Sequence, residues 1–155
     1  MRLIVAAVGA PRDPALGAAI REYESRAARY WPLDVREVRA EPGRGVTPAT
    51  VREREGRRLL EALAPGTQIV ACDAGGTAMT SEAFAEWLQQ ARERAGPDLA
   101  FLIGGAHGLS EAVRTVSRRK LSLAPWTLPH ELARLVLAEQ LYRAGTIQRG
   151  EPYHK

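Results

Sequence analysis

The feature that most limits what this chain can fold into is a set of short, uninterrupted apolar runs, each followed by a helical stretch. The runs are RLIVAAV at 2–8, QIVACD at 68–73, LAFLI at 99–103 and the shorter KLSLA at 120–124. A strand that is apolar on both faces must be covered on both faces, and strands separated by helical crossovers pair in parallel. One further stretch, LDVREVR at 33–39, alternates apolar and charged residues in the manner of a half-exposed strand. Between the strands, Asp13 before Pro14, Thr47 before Pro48, Thr80 or Ser81, and Ser110 are helix-start signals. They predict helices from 14 to about 30, 48 to about 64, 81 to about 95 and 111 to about 118, and Pro129 opens a last one from 130 to about 144. Residues 40–46 read as a loop and 145–155, GTIQRGEPYHK, as a tail. The expectation is one α/β domain over 1–155, a parallel sheet flanked by helices.

Composition narrows the function. No apolar run approaches the ~18 residues of a membrane span. The N-terminal run ends in a turn at Gly9, Ala10 and Pro11, so it reads as a first strand and not as a signal peptide. Cys72 is the single cysteine, so no disulfide can form within the chain, and a cytoplasmic home is expected. Three His and one Cys without ligand spacing imply no metal. The net charge is +4, carried by twenty Arg and two Lys. The planar fork of Arg suits phosphate, so the balance permits RNA binding without demanding it.

Several stretches have chemistry in them. IGGAHG, 103–108, is a glycine-rich loop directly after a strand, where a ligand can approach backbone unhindered. It is neither GxGxxG nor a Walker motif, and a tight strand-to-helix turn would explain it equally. In LSLAPWTLPH, 121–130, Leu121, Leu123 and Leu128 can line an apolar slot or simply fill the core, and His130 falls in the first turn of a helix, where a neutral ring is favoured. The helix HELARLVLAEQLYRA, 130–144, is apolar round most of its surface, which suits a central or shared position. Glu139 and Arg143 stand four apart on it and can pair. At the end of the chain Tyr153 can stack on a base, His154 can accept a proton near neutral pH, and Lys155 can meet phosphate or an anionic uracil ring. Arg114, Arg118, Arg119 and Lys120 form a one-sign cluster, and Arg52, Arg54, Arg57 and Arg58 share a helix; each is a solvated face or a phosphate track.

In their order, QIVACD, FLIGGAHGLS, LSLAPWTLPHELARLVLAEQLYRA and GEPYHK resemble the ribosomal RNA large-subunit methyltransferase H family, of the SPOUT superfamily. The resemblance extends to RLIVAAVG and REYESRAARYWPLDV, so it covers the whole length. It implies an α/β domain whose C-terminal part, roughly 66–155, forms a deep trefoil knot, an exception to the general rule against knots. It implies methylation, with S-adenosylmethionine, of N3 of a pseudouridine in a stem-loop of 23S ribosomal RNA within the assembled ribosome. It also implies a homodimer in which each site draws on both subunits. Carried over by motif, Ala71, Cys72, Asp73, Gly104, Gly105, Leu121, Ser122, Leu123, Leu128, Pro129 and His130 would form the cofactor site. Tyr153, His154 and Lys155 would line the target pocket. Arg134 and Arg143, with Glu139 and Tyr142, match the final helix, and these two arginines together with Arg114, Arg118, Arg119 and Lys120 are the expected RNA contacts. The Cys72 position departs from the pattern, since an apolar side chain often precedes the aspartate.

N3 of a uracil-type ring is a poor nucleophile until its proton leaves. His154 is the expected base, with Lys155 or an arginine holding the ring anion; electrostatic favouring of the anion without a base is the alternative. Within the methyltransferase class a different RNA target is the more serious alternative, and two other classes compete. A non-catalytic RNA-binding factor would suit the basic face but would not need the glycine loop. A Rossmann oxidoreductase would place its glycines differently and earlier in the chain.

Overall fold

The structure, a computed structural model, describes residues 1–154, with only the backbone of His154; Lys155 and the His154 side chain lie outside the described residues. Five strands and five helices alternate: β1 (Leu3–Val8), α1 (Pro14–Ala27), β2 (Leu33–Val38), α2 (Pro48–Glu61), β3 (Gln68–Ala78), α3 (Ser81–Glu93), β4 (Leu99–Ile103), α4 (Glu111–Val116), β5 (Arg119–Ser122) and α5 (His130–Gln148), then a 3₁₀ turn over Pro152–His154. The strands form one sheet in the order β2-β1-β4-β3-β5, and every adjacent pair is parallel.

All of β1 and β4 is buried, as continuous apolar runs require. Leu3, Val5, Phe101 and Ile103 face a cluster with Ala27, Trp31, Phe84, Leu88, Leu137 and Leu141, so α1, α3 and α5 cover that side. Ile4, Ala6, Val8, Ala100 and Leu102 face Leu59 and Val113 under α2 and α4. Trp31 donates its indole N–H to the Leu141 carbonyl at 2.9 Å, which ties the end of α1 to α5. The four expected caps form: Asp13, Thr47, Thr80 and Ser110 each accept an amide of the first turn, from Leu16, Thr50, Ala83 and Val113.

Two boundaries differ from the sequence reading by more than fraying. The strand expected to stop at Asp73 continues to Ala78, with its pairing to β5 jumping from Cys72 opposite Leu121 to Thr77 opposite the same Leu121. The intervening residues bulge, and Gly76 lies so close to β5 that an added Cβ would stand 2.6 Å from the Lys120 carbonyl carbon. The last helix continues to Gln148, past Gly145, which locally resembles a stop. A Cβ on Gly145 would stand 2.3 Å from Cγ of Tyr30, so this glycine admits a ring and does not end the helix.

Candidate functional site

The parallel sheet brings the carboxyl ends of β3, β4 and β5 together, the usual place for a ligand in an open α/β sheet. A cavity of about 630 Å³ lies there. Three bends and a helix start wall it: the β3 bulge at Cys72, Asp73 and Ala74; residues 104–109 after β4; residues 123–127 after β5; and the turn through Leu128, Pro129 and His130. The size is that of a small-molecule site, and the lining is mostly apolar side chain and backbone.

The glycine loop has its shape for steric reasons. A Cβ on Gly104 would meet the Gly108 carbonyl carbon at 2.5 Å, and Gly108 sits at φ +80°, where side chains are strained. The Gly108 amide donates to the Gly105 carbonyl at 3.0 Å, closing the turn. Across the cavity, Asp73 accepts the Gly75 amide at 2.9 Å and the Arg114 guanidinium at 2.5 Å. Partial burial works to raise the Asp73 carboxyl, but these bonds and the positive charge of Arg114 outweigh it and hold it below the usual carboxylate range. Burial pushes the neighbouring Cys72 thiol up to about 12, so it is no thiolate near neutrality.

Of the residues expected to hold a cofactor, Cys72, Asp73, Gly104, Gly105, Leu123, Leu128, Pro129 and His130 meet in this cavity. Ala71 and Leu121 lie in the core beside it, and the Ser122 hydroxyl donates to the Ala124 carbonyl at 2.7 Å, shaping the bend that carries Leu123. Sequence reasoning missed Ala74, His107 and Trp126 as wall residues; Trp126 stands 79% exposed at the rim, and only its place in LSLAPWTLPH signalled it.

The tail residue Tyr153 is elsewhere. Its ring packs 4.5 Å from that of Tyr142, its hydroxyl lies 3.0 Å from the Glu139 carboxylate and 3.4 Å from the Tyr23 hydroxyl, and the Arg143 guanidinium covers it at 4.9 Å. Arg143 and Glu139 form the ion pair expected from their spacing, at 2.6 Å. Burial, then the bonds to Tyr23 and Glu139, push the Tyr153 phenol well above its ordinary value, so it stays protonated. Tyr153 rests on Tyr142, twelve residues along α5 from His130, which is about 18 Å at 1.5 Å per residue. Tyr153 is not among the residues that wall the cavity, and its partner Glu139 stands six residues, about 9 Å, along α5 from Ala133 of that wall. The expected roles of His154 and Lys155 fall outside the described residues.

The basic residues separate as well. Arg114 faces the cavity. Arg118 and Arg119 sit at the opposite end of the sheet, around a second cavity with Met1, Gln68 and Leu99, where Arg119 stacks on Trp87 at 4.9 Å; Lys120 follows them on β5. Arg134 is a correction: it is 4% exposed and its fork is taken by Glu24 at 2.8 Å and Glu37 at 2.6 Å, so it clamps α5 to α1 and β2 and is not offered to RNA. Arginines that do share an end of the sheet with the first cavity are Arg39, Arg54, Arg57 and Arg58, around a cavity of about 390 Å³ beyond the end of β2. Among the described residues no three His, Cys, Asp or Glu side chains cluster as metal ligands, and no helix is long and apolar enough to cross a membrane.

Comparison with known proteins gives a consistent result. The family model described as "Predicted SPOUT methyltransferase" matches residues 1–154. A protein of Gemmatimonas aurantiaca is 61% identical over 155 residues, covering 100% of both chains. One from an Anaeromyxobacter species is 46% identical, again over 100% of both, and one from a Geobacter species is 41% identical over 99% of both. All three carry the name ribosomal RNA large subunit methyltransferase H.

Proposed function

The chain belongs to the ribosomal RNA large subunit methyltransferase H family of SPOUT methyltransferases, and from that premise we propose that it methylates N3 of a pseudouridine in a stem-loop of 23S ribosomal RNA. The methyl donor is S-adenosylmethionine, the substrate is the assembled ribosome in the cytoplasm, and the working unit is a homodimer. The observation that carries the reading is the cavity at the ends of β3, β4 and β5, floored by backbone that glycines leave bare.

The residues present suit this cofactor. Gly104 and Gly105 bring bare backbone to the cavity wall, because the space a Cβ would take is filled by the Gly108 backbone and the Glu55 carboxylate. Leu123 and Leu128 offer apolar walls for an adenine ring, with backbone donors and acceptors at its edge. Arg114 is held by Asp73, so no free guanidinium there opposes a cationic ligand. When bound, the cofactor supplies an electrophilic methyl group on sulfur. The protein's share is position, exclusion of water and management of one proton. Tyr153, protonated and anchored to Glu139, offers a ring face and a hydroxyl to the target base. His154 takes the N3 proton and Lys155 balances the ring anion.

Dimerisation is in keeping with the position of Tyr153, which does not wall the cavity of its own chain. The tail of one chain then serves the cavity of a partner, with Arg143, Tyr142 and the tail at the shared boundary. The part from roughly 66 to 155 is read as a deep trefoil knot on the strength of the family alone.

The decisive experiment incubates the protein with isotopically labelled S-adenosylmethionine and ribosomes that lack the modification, then locates the label by mass spectrometry. Label on N3 of a 23S pseudouridine is expected; label on another nucleotide, or none, overturns the assignment. His154→Ala should lower single-turnover rate and leave cofactor affinity unchanged. For the shared site, an inactive His154→Ala chain mixed with an inactive Gly104→Ala chain should recover activity, because one mixed site retains both intact halves; no recovery rules the sharing out.

A further inference from the structure

Glu55, on α2, is 4% exposed, a rare position for a glutamate without a cation beside it. Its Oε1 accepts the Glu41 amide at 3.0 Å, while Oε2 is enclosed and has no hydrogen-bond partner among the described residues. The nearby arginines of the same helix are engaged elsewhere: Arg54 reaches the Glu41 carboxylate at 2.7 Å, and Arg58 reaches it too. What Oε2 does face is Gly105. A Cβ on Gly105 would stand 2.7 Å from it, so the carboxylate occupies the space this glycine leaves open. The same Gly105 lines the cofactor cavity. Next along the helix, a Cβ on Gly56 would stand 2.2 Å from the Ser110 hydroxyl, so this turn of α2 is pressed against the cap of α4 and holds Glu55 in place. An unpaired carboxylate thus lies one backbone thickness behind the cavity wall, whereas the other carboxylate there, Asp73, is neutralised by Arg114.

A buried, uncompensated charge is costly to the fold, and the cost falls when a cation comes near. The donor read into this cavity carries one more positive charge than the thioether it leaves behind. We propose that Glu55 is a specificity-determining residue, whose charge acts through Gly105 to hold the sulfonium donor more tightly than the neutral thioether product. This rests on the cofactor reading above. The field favours the bound donor more than a transition state in which the sulfur charge disperses, so its effect is read in affinity and does not speed the chemical step.

Calorimetry with S-adenosylmethionine and S-adenosylhomocysteine, on the wild type and on Glu55→Gln, tests it. Loss of one unit charge across a partly screened gap should weaken donor binding about tenfold, with product binding changed by less than about twofold. Glu55→Asp keeps the charge and should keep the donor-to-product ratio even if both affinities fall. Glu55→Met, which removes an unpaired buried charge and so favours folding, must shift the ratio as Glu55→Gln does. Equal weakening of both ligands, or no change in either, overturns the proposal and leaves the cofactor reading standing. A wild type that binds neither ligand overturns that reading, and this one with it.

Discussion

The two ends of α5 are built for different tasks. At its start, His130 and Ala133 close a cavity of mostly apolar walls and bare backbone, in which the one ion pair, Asp73 with Arg114, sits to the side. Farther along, Tyr142, Glu139 and Arg143 join Tyr23, Tyr30 and Tyr153 in a packed set of rings with charges bonded between them. The first end has room for a ligand; the second presents aromatic faces and a protonated phenol. From Ala133 to Glu139 about 9 Å of helix separates them, and Tyr153 is not among the residues that wall the cavity. Division of labour along one rigid element is what the paired enzyme proposed above would exploit.

The strongest test of that rigid element is Arg134, which lies between the two ends and holds α5 to Glu24 and Glu37. Arg134→Ala leaves Glu24 buried and unpaired, a change that costs roughly 3–5 kcal/mol. Thermal unfolding should show this loss, and both cofactor and RNA binding should fall together. If only one end failed, α5 would not be the common support. Gly104→Ala should act on one end alone. Its new Cβ would strike the Gly108 backbone at 2.5 Å, and relief of such overpacking costs roughly 1–3 kcal/mol. Calorimetry should show cofactor affinity collapsing while tyrosine fluorescence from the distant ring cluster is unchanged.

Tyr153→Phe is the opposite control, confined to the tail end. The hydroxyl bond to Glu139 is worth about 1 kcal/mol, which sets the expected fall in stability. Because the phenol is raised above its ordinary value by burial, its contribution is fully present below the unfolded tyrosine value and is lost as pH rises through the higher folded one. Ultraviolet titration should show two phenolates forming later in the wild type than in the unfolded chain, those of Tyr153 and of Tyr30 bonded to Glu151, and only the Tyr30 step remaining late in the variant. An ordinary titration for all tyrosines would mean that the tail is not packed as described.

The contrast also shows which parts of the molecule a sequence can disclose. The apolar strands and all four side-chain caps are legible because their causes are local: a run of side chains, or an oxygen three residues before an amide. The glycine loop and the Leu128 to His130 turn are legible for a related reason, since strand ends and helix starts announce where a ligand can approach. Gly76 and Gly145 mislead because the atoms that explain them, the Lys120 backbone and the Tyr30 ring, lie far off in the chain. Arg134 misleads in the same way. Its carboxylate partners are 110 and 97 residues away, so nothing near it distinguishes a buried clamp from an RNA contact. Glu55 gives no local sign at all, being one acid among arginines until Gly105 folds against it.

The smallest expected effect concerns the cavity wall itself. Cys72 lines the cavity, and an open apolar site could be supposed to expose a reactive thiol there. Burial instead holds the thiol near 12, with the Asp73 charge beside it pushing the same way. Only the thiolate attacks an alkylating reagent, so at neutral pH the folded protein should react with iodoacetamide far more slowly than the unfolded chain does. Bound cofactor should add little further protection, because the fold already supplies it. Cys72→Ala should accordingly leave methyl transfer close to the wild-type rate. Rapid labelling of the native protein, abolished by S-adenosylmethionine, would instead show a wall more open and more polar than described, and would erase much of the difference between the two ends of α5.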